Sequence, residues 1–167
     1  MSTDDIPLPI QEAIRDLVAD LLSKACEVDR AADSLPLQPD LPLVLAEYID
    51  EDGDVAGVAV ADLAFACRSG SALVMMPPDV AEAALASGEL DGDMLDSFRE
   101  VVNVLTRLLN SAETPRVRLR GVYQSGQLLP GEVRTMLRGQ GARRRDFTVS
   151  IEEYGAGHLA LLSRAAT

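Results

Sequence analysis

Tryptophan is absent from this 167-residue sequence, and aromatic residues make up only 4% of it. Stacked rings therefore cannot build the core. The 47% of apolar residues must fill it with Leu, Val and Ala, enough for one domain of this length. Histidine occurs once, at His158, and cysteine twice, at Cys26 and Cys67. Neither cysteine belongs to a Cys-x-x-Cys pair, and no Cys or second His lies near His158 in sequence, which argues against zinc. Residues 1–10 are acidic and carry two prolines, unlike a secretory leader. The thiols are thus expected to be reduced and buried, and the protein cytoplasmic. No apolar run approaches the ~18 residues of a membrane span. No Gly-x-Ser-x-Gly elbow accompanies His158, and Gly139-Gln140-Gly141 lacks the following glycine of a dinucleotide site.

Positive charge is scarce where negative charge is dense. Net charge is −12, composed of −17 over residues 1–103 and +5 over residues 104–167. Such a balance disfavours nucleic acid, which needs a basic surface. Arg143-Arg144-Arg145 reads as a basic turn that blunts an edge strand. Asp50, Asp52 and Asp54 resemble a calcium loop only superficially. Counting from Asp50, the sixth and twelfth positions are Val55 and Ala61, where an EF-hand needs Gly and Glu. The segment reads as a solvated hairpin turn with Gly53 at its tip.

Along the chain, Ile10, Ile14, Leu17, Val18, Leu21 and Leu22 share one helical face, which predicts a long helix over residues 10–32. Pro36, Pro39 and Pro42 enforce an extended connector. Residues 43–49 and 55–63 read as a hairpin. Residues 63–76 read as further strand, turning at Arg68-Ser69-Gly70-Ser71. Asp79 and Glu82 suggest the capping box of a short helix over 80–87, with a second helix over about 93–110. A strand over 116–124, a short helix over 129–138 and a hairpin over 146–152 and 157–163, around Gly155-Ala156-Gly157, complete the pattern.

The helix over 93–110 is the most informative segment. At about 100° per residue, Met94, Leu95, Phe98, Val101, Val102, Leu105, Leu108 and Leu109 form one apolar face. Asp96, Glu100, Asn103 and Arg107 form a narrow polar stripe opposite, each three or four residues from the next. That stripe must meet solvent or a partner.

The run Asp96-Ser97-Phe98-Arg99-Glu100-Val101-Val102-Asn103 resembles the signature of the CheC/CheX chemotaxis phosphatases: Asp or Ser, three residues, Glu, two residues, Asn, on an exposed helix. Element order agrees over roughly residues 40–125, where a sheet ending at Met75-Met76-Pro77-Pro78 precedes a short helix and then the signature helix. The resemblance implies a CheC/CheX-like α/β domain spanning residues 1–167, with a mostly antiparallel sheet packed against the N-terminal helix and a central helical pair. It also implies removal of phosphate from the aspartyl phosphate of a receiver domain. Asn103 would orient the attacking water and Glu100 would dock against the partner, as catalytic residues; Asp96 and Arg107 would belong to the partner-binding surface. No cofactor of the chain's own is implied, since Mg2+ would come with the phosphorylated partner. The partner is a protein rather than a nucleic acid or membrane, and a homodimer stays open.

Two positions depart from the family pattern. Arg107 stands where a small residue is usual, and Gly126 stands near where a proline is expected. The same stripe also suits a non-catalytic adaptor face or a plain solvated surface, and the sequence leaves these readings open. Ser23, Glu27 and Arg30 echo the spacing, with Arg30 in place of the Asn; an arginine cannot accept a hydrogen bond from water.

Overall fold

The computed structural model describes residues 6–38, 41–110, 116–125, 127–139 and 142–164. Its centre is a six-stranded, wholly antiparallel sheet with strands in the order β1-β5-β6-β3-β2-β4. These are β1 (Cys26–Arg30), β2 (Leu43–Ile49), β3 (Val55–Asp62), β4 (Arg118–Gln124), β5 (Ala142–Ile151) and β6 (Gly155–Arg164). β2 is buried along its whole length, and β3 up to its last residue, because both faces of the sheet are covered. Helices α1 (Gln11–Leu22), α2 (Leu63–Leu73) and α4 (Gly92–Val104) cover one face. α3 (Pro78–Ser87) lies against α2. On the other face, α6 (Gly131–Leu137) and the connector leucines Leu35, Leu37 and Leu41 pack on Leu43, Leu45, Val58, Val60 and Leu162.

The α/β class, the antiparallel sheet and the hairpin around Gly53 agree with the sequence reading. Several elements differ. The first helix ends at Leu22, not at residue 32, with Ser23 in the left-handed region at φ 53°. Cys26 and Val28 then alternate with polar residues as an edge strand paired to β5. Ser23, Glu27 and Arg30 consequently share no helix face, and the echo of the signature dissolves.

The largest correction is α2. Residues 63–73 form a helix rather than two strands and a turn. Asp62 caps it, accepting from Phe65 N at 2.8 Å. Ser69, Gly70 and Ser71 are buried helix residues. They are small because α4 crosses there: a Cβ at position 70 would lie 3.1 Å from Met94 Sδ and 3.4 Å from Met94 O. Small residues that read as a turn are thus a helix-packing surface.

The expected capping box is absent: Pro77 occupies the N-cap of α3 without a side-chain bond, and Glu82 pairs instead with Arg68 at 3.0 Å. The last hairpin turns at Glu152-Glu153-Tyr154, ahead of the glycines, with Glu153 at φ 73°. The three consecutive arginines lie inside β5, not in a turn. Arg143 and Arg145 donate to the carbonyls of Ile6, Leu8 and Pro9, while Arg144 donates to Leu35 O on the opposite face. They tie two irregular segments to the sheet. Gln140, Gly141, Pro39, Pro115 and Gly126 lie outside the described residues.

Buried charges are paired, as burial demands. Glu47, fully buried in β2, receives Arg120 Nε at 3.0 Å and Nη2 at 2.5 Å, and Tyr123 Oη at 3.0 Å. Asp146 receives Arg144, the Leu35 amide at 2.8 Å and His158 Nε2 at 2.8 Å. Asp50 receives Arg164 at 2.8 Å and the amides of Asp52 and Asp54. Burial alone would raise the pKa of Asp50 and Asp146. The arginines and amides outweigh it and hold both carboxyls below the usual carboxylate range. A depressed folded-state pKa means the stabilisation is complete above the unfolded value of about 3.9 and is lost as pH falls through the folded value. Melting temperature should therefore fall steeply below about pH 4. Asp146→Asn should lower the plateau near neutral pH and flatten that acid limb; an acid limb identical to wild type would contradict the assignment.

Both cysteines are free and buried, in keeping with the sequence expectation of buried thiols. Burial pushes the Cys67 thiol up to about 11, so it is protonated at neutral pH. Among the described residues, no helix is long and apolar enough to cross a membrane.

Candidate functional site

α4 begins at Asp91, whose carboxylate accepts from Met94 N at 2.8 Å and supplies the preferred N-cap chemistry. Met94, Phe98, Val101 and Val102 are buried, as the apolar periodicity requires, and Val104, which lies outside that face, is buried as well. Phe98 meets Phe65 of α2 edge-to-face, with ring centroids 6.1 Å apart. Burying such side chains contributes roughly 1.5–3 kcal/mol each, which fixes the rotation of the helix about its axis.

The opposite side follows from that rotation. Asp96, Glu100 and Asn103 are all exposed along α4. Among the described residues, none of the three side chains has a hydrogen bond or ion pair; the main-chain carbonyl of Asn103 takes the Thr106 hydroxyl at 2.6 Å. Glu100 and Asn103 are a helical turn apart on one face and so project side by side. Asn103 offers both a donor and an acceptor, which a water can use; Glu100 offers acceptors to a cation. The pair is open to solvent, so a second molecule is needed to enclose any chemistry there.

Sequence periodicity runs the helix unbroken to residue 110, but the structure interrupts it. α4 ends at Val104, Leu105 forms a turn, and a single-turn helix α5 (Thr106–Leu109) follows. Arg107 is exposed, but on α5, beyond the interruption. It is thus a neighbour of the Glu100–Asn103 pair and not part of the same uninterrupted rod. Beneath the pair lies Tyr48 of β2, a fully buried residue whose hydroxyl donates to Val102 O at 2.6 Å, directly before Asn103. No sequence signal marks it, because a tyrosine in a strand is ordinary.

His158 lies on the far face of the sheet with Asp146, where it holds the connector and takes no part in this surface. Asp50, Asp52 and Asp54 bring their carboxylates within 4.8 Å of one another at the tip of the β2–β3 hairpin. Asp50 is already committed to Arg164 and two amides.

No protein-family model and no curated protein matches the sequence. Solved structures do match. FliM from H. pylori, in its complex with SpeE, aligns at 10% identity over 92% of this chain and 81% of that one, with a TM-score of 0.64. FliY from Thermotoga maritima aligns at 10% identity over 91% and 82%, with a TM-score of 0.55. CheX from Borrelia burgdorferi, in a complex with CheY, BeF3 and magnesium, aligns at 11% identity over 93% and 94%, with a TM-score of 0.46. The chain thus has the fold of the FliM middle domain, which is also the CheC/CheX fold that the signature on α4 resembles.

Proposed function

We propose that this chain dephosphorylates the aspartyl phosphate of a response-regulator receiver domain, using Asn103 and Glu100. The observation that carries the reading is the exposure, side by side and without internal partners, of that carboxylate and amide on a helix locked by its buried face. The partner brings the phosphoryl group and its Mg2+. Asn103 binds a water in line with the phosphorus, and Glu100 pairs with a cation beside the partner's phosphorylation site. Water oxygen bonds to phosphorus, the bond from phosphorus to the aspartate oxygen breaks, and inorganic phosphate and a free carboxylate result. Positioning and charge stabilisation suffice for this loose transition state.

A second reading has support of its own. FliM of H. pylori is solved with FliG as well as with SpeE, and Arg107 lies where a catalytic face would be expected to be small. On that reading the stripe is an adaptor surface without chemistry. The test mixes the protein with radiolabelled phospho-receiver domains and Mg2+ and follows phosphate release. Acceleration over the receiver's own decay supports the phosphatase; binding of a BeF3-loaded receiver without acceleration supports the adaptor. Arg107→Gly should raise the rate about five-fold, roughly 1 kcal/mol of barrier, by allowing closer approach. An unchanged rate would show that Arg107 does not obstruct docking.

A further inference from the structure

Tyr48 occupies an unusual place in the sheet. The β2–β4 register slips between Glu47 and Tyr48: Glu47 pairs with Gly121 but Tyr48 with Leu119, which leaves Arg120 without a partner position. The β2–β3 register slips on the other side, where Tyr48 pairs with Gly57 but Ile49 with Val55. The extra residues, Arg120 and Ala56, belong to β4 and β3, so the two neighbouring strands bulge on either side of Tyr48 while β2 itself stays continuous. The neighbouring Gly57 is required by β6 and not by the ring, since a Cβ there would lie 3.0 Å from Leu162 O but only in ordinary contact, at 4.0 Å, with Tyr48 Cδ2. The ring is fully buried under α4, and among the described residues its hydroxyl bonds the Val102 carbonyl.

That carbonyl belongs to the last turn of α4. Val102 O takes the phenol at 2.6 Å, and Asn103 O takes the Thr106 hydroxyl at 2.6 Å. Two successive carbonyls are thus bonded by side-chain hydroxyls where α4 gives way to α5. Apolar contacts restrict the rotation of α4 but not its sliding by a fraction of an ångström along its axis, since they are non-directional. A short hydrogen bond to one carbonyl is directional and restricts both.

We infer that Tyr48 is a positioning residue: its hydroxyl, gripping the Val102 carbonyl from beneath, sets where Asn103 is held above. The inference deepens the phosphatase reading and rests on it for its kinetic consequence. Tyr48 itself touches no substrate, being enclosed by the sheet and α4. It acts only through the backbone of Val102 and Asn103.

The experiment compares Tyr48→Phe with a control, Tyr123→Phe. Each removes one hydroxyl and keeps its ring; the Tyr123 hydroxyl bonds Glu47 and not a carbonyl of α4. Both variants are assayed on phospho-receiver, and backbone amide exchange is followed in parallel. Tyr48→Phe should lower kcat about ten-fold with KM within two-fold, since a small misplacement of a positioned group costs rate rather than docking. Tyr123→Phe should lose thermal stability with kcat unchanged. Amides of residues 105–109 should exchange at least several-fold faster in Tyr48→Phe, with those of β3 and β6 unaltered. A Tyr48→Phe protein with wild-type kcat, or one whose loss is matched by Tyr123→Phe, overturns the inference. If the wild-type protein dephosphorylates nothing, the phosphatase reading fails by itself. The exchange result then decides alone: no local acceleration over residues 105–109 overturns the positioning role, and acceleration confined there upholds it.

Discussion

Asn103→Ala is expected to lower receiver dephosphorylation about 100-fold while leaving affinity for a BeF3-loaded receiver within about two-fold. The asymmetry follows from the site's geometry. The amide contributes no packing, since it is exposed and has no internal partner among the described residues. Its role on the proposed reading is to hold one water in line, an interaction realised only once the phosphoryl group is being transferred. Stability should hold or rise by a few tenths of a kcal/mol, because alanine is the better helix former. Single-turnover kinetics with excess enzyme, alongside calorimetric titration of the BeF3 complex, separate the two effects. Full activity in Asn103→Ala would remove the assigned mechanism. Glu100→Gln provides the complementary case: it removes the charge that meets the partner's cation and should weaken binding more than it slows the bound complex.

Gly157→Ala is expected to be the most damaging Gly→Ala change among the described residues. A Cβ at position 157 would lie 2.4 Å from both Phe65 Cα and Phe65 N, and 2.5 Å from Phe65 Cβ. Real Cβ atoms do not approach backbone so closely, so either β6 or the first turn of α2 must move. Neither is free to do so. Asp62 Oδ1 accepts from Phe65 N at 2.8 Å and from His158 N at 3.0 Å, which staples the start of α2 to β6 beside the glycine. Phe65 also packs against Phe98, so a displaced α2 would shift α4. Overpacking typically costs 1–3 kcal/mol and more where backbone cannot yield, so a loss of about 3 kcal/mol or more is expected. That is a large part of the 5–15 kcal/mol of a typical domain. Urea denaturation measures it. Gly53→Ala is the comparison: φ there is +84° but nothing lies within 4 Å, so only backbone strain of about 1 kcal/mol applies. A Gly157→Ala protein as stable as Gly53→Ala would contradict the packing described.

The parts of the fold legible in the sequence share a physical cause: local patterning agrees with the tertiary environment. The Asp-Gly turn between β2 and β3 and the helical repeat of α4 are of this kind. α2 is not. Its Arg-Ser-Gly-Ser segment has the composition of a turn, and only the proximity of Met94 and Phe98 explains why small residues lie in a buried helix. β1 is similar: Cys26 to Arg30 could continue α1 by propensity, and pairing with β5 decides against it. The glycines near residue 156 signal a turn, yet Gly157 is needed for its closeness to Phe65 and the chain reverses before it.

The candidate site divides in the same way. By itself the sequence determined that Asp96, Glu100 and Asn103 share a face opposite an apolar one, because α-helical geometry converts residue spacing into direction without reference to the rest of the chain. It also determined the acidic balance of the first 103 residues. Only the tertiary structure decided that the face is open, that α4 stops after Val104 and sets Arg107 on a separate turn, and that Tyr48 reaches Val102 from a strand 54 residues away. Those outcomes depend on which distant elements lie across the helix and how closely they approach. Contacts of that range are set by the packing of the whole core and leave no mark in a local pattern.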